Sequence, residues 1–162
     1  MIHSPASPRI VFVCLGNICR SPTAEGVMRQ LLQAAGRTDV TVASAGTGRW
    51  HVGEPPDRRT VATARRRGIV LDSVGRQFVR ADFARFDLIL AIDRPVARAL
   101  RELAPDDDAR ARIRLLRSYD PAAPADAEVP DPYYGDQAAF DQVFDLCEAA
   151  CRGLLASLPA PG

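Results

Sequence analysis

A cysteine, Cys14, is followed six positions later by an arginine, Arg20, and then by Ser21 and Pro22. Gly16 and Asn17 lie between them, and both tolerate positive φ, so successive N–H groups can curl inward around an anion. A thiol where a strand feeds a helix N-terminus is pushed toward thiolate, and an oxyanion at the same point is held. The planar guanidinium of Arg20 can pair two phosphate oxygens. The Ser21 hydroxyl can donate to the sulfur or cap the helix. Other chemistries fit less well. Cys14 and Cys19 lack zinc spacing, and only His3 and His51 could add imidazole. A nucleotide-binding loop needs a lysine, and the chain has none. A dinucleotide fingerprint needs three spaced glycines where only Gly16 stands. What remains is a thiolate nucleophile in a phosphate cradle.

The flanking pattern supplies the elements that must hold this loop. Arg9–Cys14 is a continuous apolar run and predicts a buried strand. Ala24, Val27, Met28, Leu31 and Leu32 form a helical stripe, with Ser21 as N-cap, Pro22 at the first helical position and Gly36 as the stop. Val40–Ser44, Asp87–Ile92 and Ile113–Leu116 predict three further strands. Helices are expected over Arg58–Arg67, Asp93–Leu103 and Gln137–Leu158, and a helical turn over Ala81–Arg85. Ala45–Asp57 reads as a long loop carrying Trp50 and His51, Pro105–Asp108 as a charged loop, and Tyr119–Asp131 as a proline-rich connection; Gly68–Arg80 has no clear pattern. Strands alternating with helices predict an α/β fold: a small, doubly wound, four-stranded parallel sheet flanked by helices. Its active-site loop is the first strand-to-helix turn.

The 162 residues suit one domain, with residues 1–8 and 159–162 as flexible ends. A formal charge of +1 argues against a nucleic-acid partner by net electrostatics. All 21 basic residues are arginine, for which coding bias is the plain explanation. No apolar run approaches the roughly 20 residues of a membrane span, and the N-terminus lacks a signal-peptide core. A cytoplasmic setting is expected, although unconventional export would leave no trace. Four cysteines in that setting point to catalysis, redox chemistry or burial rather than a disulfide framework.

Cys14–Arg20 is the Cys-x5-Arg signature of protein tyrosine phosphatases. The fuller string Val13–Pro22, followed by Ala24-Glu25, resembles the low-molecular-weight protein tyrosine phosphatases. The similarity continues through Ser44-Ala45-Gly46-Thr47, Trp50-His51-Val52-Gly53, Pro55-Pro56-Asp57, Arg76-Gln77, Ser118-Tyr119-Asp120-Pro121 and Asp131-Pro132-Tyr133-Tyr134-Gly135. The resemblance implies hydrolysis of phosphotyrosine and small aryl phosphates, through a phosphocysteine on Cys14 and without metal or cofactor. It further implies that Arg20 and the loop residues Leu15, Gly16, Asn17, Ile18, Cys19 and Ser21 bind phosphate, and that Asp131 is the general acid and then the base. The residues alone leave Asp120 as a competitor, since both aspartates precede proline; Asp131 is the one beside two tyrosines.

By the same resemblance, Ser44 supports Asn17, and Trp50, Tyr133 and Tyr134 wall the cleft. Cys19 can trap oxidised Cys14 as a disulfide. The expected partners are phosphotyrosine-containing proteins and a tyrosine kinase acting on Tyr133 or Tyr134, with no nucleic acid or membrane, and the chain is a monomer or weakly self-associating. Ser73 departs from the family, which often has a histidine there. Cys147 and Cys151 read as core thiols. Three rivals use such a loop. An arsenate reductase would need further cysteines, and 68–93 holds none. Ile18 and the paired tyrosines favour phosphotyrosine over phosphoarginine. A silent phosphate-binding module would lack Cys14 or Asp131.

Overall fold

The run from Ile10 to Cys14 is buried on both faces because it is a central strand of the sheet. A computed structural model describes residues 7–161; part of the expected flexible ends, residues 1–6 and 162, lies outside them. Strand β1 (Arg9–Cys14) pairs in parallel with β2 (Thr41–Gly46) on one side and β3 (Leu88–Ala91) on the other. The short β4 (Ile113–Leu115) follows, giving the order β2-β1-β3-β4. All four strands are parallel. The order reverses between β1 and β3, so the connections leaving their C-terminal ends diverge and open a crevice there. Cys14, the last residue of β1, ends at that crevice.

The strand period of two splits the core. Ile10, Phe12 and Cys14 face one side with Leu90, packed under helices α1 (Arg20–Ala34), α2 (Arg58–Arg66) and α5 (Gln137–Ser157). Val11, Val13, Ile89 and Ala91 face the other, packed under α3 (Arg94–Leu103), the one-turn α4 (Asp107–Ala111) and Phe83 of a 3₁₀ turn at Arg80–Ala84. Aspartates cap α2 to α5 through Asp57, Asp93, Asp106 and Asp136. Gly36, at φ 67°, ends α1 while Arg37 N–H donates to the Leu32 carbonyl at 2.9 Å.

Several sequence expectations shift. Ser21 is not the N-cap of α1: the helix begins at Arg20 after Cys19, which offers no side-chain cap. The Ser21 hydroxyl is engaged by the loop instead, as described below. β2 runs two residues beyond Ser44, because Ala45 and Gly46 stay in register with Val13 and Cys14. The charged segment 105–108 contains the cap and opening of α4, a turn too short to show an apolar stripe. The unpatterned stretch 68–80 is irregular but anchored. Leu71 and Ile69 pack against Gly26, where a Cβ would lie 2.4 and 3.0 Å from them, and Gly46 exchanges backbone bonds with Arg76 and Phe78. Pro8, expected to be frayed, is buried, and its carbonyl accepts from Thr41 N–H at 2.9 Å. Among the described residues no helix is long and apolar enough to cross a membrane.

α5 docks on the 3₁₀ turn Leu116–Tyr119 through Gly153, where a Cβ would sit 1.8 Å from the Tyr119 carbonyl oxygen. Backbone cannot yield there as a flexible side chain can. Gly153→Ala is expected to lower stability by about 1–3 kcal/mol, read as a lower urea midpoint at unchanged slope.

Candidate active site

β1 delivers Cys14, only 2% exposed, into the turn that follows. Asn17 takes φ 58°, the left-handed region that the sequence allowed for Gly16 or Asn17. This turns its own N–H back to donate to Cys14 Sγ at 3.2 Å. Ser21 Oγ lies 3.0 Å from the same sulfur. The Asn17 side chain is fully used. Nδ2 donates to Ser21 Oγ at 2.9 Å and to Ser44 Oγ at 3.1 Å, and Oδ1 accepts the Arg76 N–H at 3.0 Å. That last bond comes from a main-chain group close to Ser73, and no side chain is needed for it.

The loop is held from outside by its carbonyls. Those of Cys14, Leu15, Ile18 and Cys19 accept from Thr47, Gly48, Asp57 and Thr23 at 2.8–3.1 Å. Among the described residues, the N–H groups of Leu15, Gly16, Ile18 and Cys19 have no acceptor. With carbonyls turned outward, the turn presents donors inward at the N-terminus of α1, a ready anion cradle.

Arg20 is buried, and its NH1 donates to Asp93 Oδ2 at 2.6 Å and to the Val129 carbonyl at 3.0 Å. Burial works against its charge, but the Cys14 sulfur and the Asp93 carboxylate outweigh that and raise its pKa. Both contacts use NH1, which leaves Nε and NH2 for an oxyanion. Asp93 also caps α3, accepting from Val96 N–H at 2.9 Å through its other oxygen. In the sequence Asp93 stands only as the residue that caps and opens the helix expected over Asp93–Leu103.

Above the loop lies a cavity of about 280 Å³ that brings together Cys14, Arg20 and Asp131, with Leu15, Gly16, Ile18 and Cys19 in its floor. Trp50, Tyr133 and Tyr134 form its walls. The tyrosine rings meet edge-on at 5.0 Å, and Arg59 lies 5.2 Å over the Tyr133 ring. Asn17, Ser21 and Ser44 stand beneath as support. Asp120 does not line this cavity; its carboxylate closes a turn on Ala122 N–H at 2.9 Å. Asp131 makes the equivalent turn with Tyr133 N–H at 3.1 Å and borders the cavity. His51 also lines it, beside Gly16 and bonded to Glu54 at 2.9 Å. The sequence offers His51 as an imidazole source for zinc and as part of the Trp50-His51-Val52-Gly53 match, with no signal that it would line the cavity.

The remaining thiols differ in character. Burial pushes Cys19 up to about 12, and Cys147 likewise. Cys147 and Cys151 lie in the core under α1, as read from their helical spacing. Among the described residues, no three His, Cys, Asp or Glu side chains are grouped to hold a metal ion.

A family profile described as low molecular weight phosphotyrosine protein phosphatase matches residues 9–161. The chain is 51% identical over 152 residues to a low molecular weight protein-tyrosine-phosphatase of Streptomyces coelicolor, covering 93% of each. The crystal structure of a protein tyrosine phosphatase from Entamoeba histolytica, with Hepes in its active site, superposes with a TM-score of 0.88 at 38% identity. That match covers 93% of this chain and 96% of the other. A Drosophila arginine phosphatase superposes with a TM-score of 0.81 at 30% identity, covering 91% of this chain and 95% of the other.

The left-handed Asn17 separates backbone from side-chain contributions. Asn17→Gly removes its side-chain hydrogen bonds but keeps φ accessible. Asn17→Ala removes the same bonds and adds about 1–2 kcal/mol of strain. Both variants should bind phosphate more weakly than wild type, and the alanine variant should melt at the lower temperature in a calorimetric comparison.

Proposed function

The chain belongs to the low molecular weight phosphotyrosine protein phosphatase family and is a protein tyrosine phosphatase; from that premise we propose the following reaction and residue roles. Phosphotyrosine enters the cavity with its ring between Trp50 and the tyrosine pair, and its phosphate in the loop. Arg20 and the inward N–H groups bind the equatorial oxygens. The Cys14 sulfur attacks phosphorus in line. The P–O bond to tyrosine breaks as Asp131 gives its proton to the departing oxygen, leaving a phosphocysteine. Asp131, now a carboxylate, takes a proton from water. That water attacks phosphorus, the S–P bond breaks, and Cys14 leaves as thiolate stabilised by Ser21 and Asn17 N–H. The observation that carries this reading is the meeting of Cys14, Arg20 and Asp131 in one aromatic-walled cavity.

The likeness to an arginine phosphatase makes phosphoarginine the competing substrate. The Tyr133-Tyr134 pair favours the aromatic ester. Turnover of phosphotyrosine, phosphoarginine and phosphoserine peptides side by side decides between them.

Leaving-group protonation is worth about 10²–10⁴-fold. Asp131→Ala should lose that much turnover on an aryl phosphate with a weakly acidic phenol, with substrate still bound. Wild-type turnover on that ester would remove Asp131 from the role. Cys14→Ser should form no phosphocysteine and turn over no substrate; retained turnover would put the nucleophile elsewhere.

Cys19 shares the cavity with Cys14 and, with its thiol pushed up to about 12, remains protonated near neutrality. Its part in this proposal is protective. Peroxide oxidises the Cys14 thiolate to sulfenic acid and releases hydroxide. The Cys19 thiol then displaces the sulfenic oxygen as water, forming a disulfide that external thiol reduces. After peroxide, Cys19→Ser should recover less activity with thiol than wild type does; equal recovery would end the proposal. Tyr134, 96% exposed, is the more accessible of the two tyrosines to a kinase. A cytoplasmic setting suits the four free thiols.

A further inference from the structure

Glu25 is buried in α1, one helical turn beyond the nucleophilic loop, and touches neither the cavity nor Cys14. Its Oε2 accepts from Arg29 Nε at 3.1 Å and Arg29 NH2 at 2.6 Å. Its Oε1 accepts from the Ser44 hydroxyl at 2.6 Å. Ser44 Oγ in turn accepts from Asn17 Nδ2, which also donates to Ser21 Oγ, 3.0 Å from the Cys14 sulfur.

The donor inventory sets the direction of this chain. A carboxylate only accepts, so Ser44 must spend its single proton on Glu25. Its oxygen is then free only to accept, so the atom of Asn17 facing it must be the amide nitrogen. The Arg76 N–H at the other end of that amide agrees, since it can only donate to Oδ1. The second Nδ2 proton goes to Ser21 Oγ, whose own single proton faces two acceptors, the Cys14 sulfur at 3.0 Å and the Ala45 carbonyl at 3.3 Å; a sulfur anion, charged and closer, is the stronger of the two. We propose that Glu25 is a positioning residue: clamped by Arg29, its carboxylate polarises a Ser44–Asn17–Ser21 relay so that Ser21 donates to Cys14. The inference rests on Cys14 being the nucleophile. Cys14→Ser tests that separately; loss of turnover there with no effect at Glu25 would overturn this inference alone.

Substituting the isosteric amide inverts the relay. In Glu25→Gln, Arg29 donates to the amide oxygen and so turns the amide nitrogen toward Ser44. Ser44 then accepts where it used to donate, and its proton points at the Asn17 amide. Turnover and the rate of Cys14 alkylation by iodoacetamide at fixed pH should both fall about 10- to 100-fold, the size of one lost hydrogen bond to a charged sulfur. Combining Glu25→Gln with Arg29→Ala frees the introduced amide to present its oxygen to Ser44, and both rates should recover. Glu25→Leu should lose activity without recovery by Arg29→Ala, because no amide can turn. Unchanged rates in Glu25→Gln would overturn the proposal. Equal rescue of Glu25→Gln and Glu25→Leu would also overturn it, since relief of an unpaired arginine would then explain both. Ser44→Ala cuts the relay at its middle with a small volume change and should lower both rates. If they stay at wild-type level, the proposal falls whether or not the Glu25 variants fold.

Discussion

The structure depends on turning a chain sharply at Cys14–Arg20 with its carbonyls outward and its N–H groups inward. A backbone left to itself pairs these groups with neighbouring strands or helices. Here the carbonyls of the turn are drawn off by donors from the segment after β2, from the start of α2 and from within α1. Asn17 makes the reversal feasible, because it tolerates the left-handed conformation and its side chain ties the turn to Ser44, Ser21 and Arg76. Glycine would give the same φ without the ties. Gly46 allows the close approach, since a Cβ there would lie 2.8 Å from the Leu15 carbonyl oxygen.

Arg20 links this turn to the other half of the site. Its NH1 holds the Val129 carbonyl, and the Val129 N–H donates to Ile92 at 3.1 Å, at the C-terminal end of β3. The segment carrying Asp131 is therefore pinned across the crevice between β1 and β3 by the residue assigned to the phosphate. Asp93 serves two elements through two oxygens, capping α3 and orienting Arg20. Such sharing couples the capping of α3 to the orientation of Arg20. The aromatic walls are less constrained: Tyr134 and Trp50 are 96% and 68% exposed. A tightly bonded floor with solvent-exposed walls fits the proposed role, in which one phosphate is held accurately while different protein surfaces are admitted.

The parts set by local chemistry were legible from residue order alone. Hydrophobic period and capping residues identify four strands and the long helices, because burial on two sheet faces demands continuous apolar runs. The cysteine, arginine and glycine-asparagine spacing points to a turn that could bind an anion, because few residue types can form one. Long-range parts were not legible. Whether Ser21 caps a helix or serves a sulfur depends on where Asn17 and Ala45 lie. Asp120 and Asp131 share the same dipeptide with proline and the same Asx turn, so local chemistry cannot separate them; only the path of the chain over β3 brings one to the cavity. His51, Asp93 and Glu25 bear residue types that read equally well as loop, cap and helix surface. Sequence by itself determined what chemistry the loop could do, since that follows from side-chain types at short spacing. Tertiary structure decided which distant groups it does it with, since those contacts cross 73 residues from Arg20 to Asp93 and 109 to Val129.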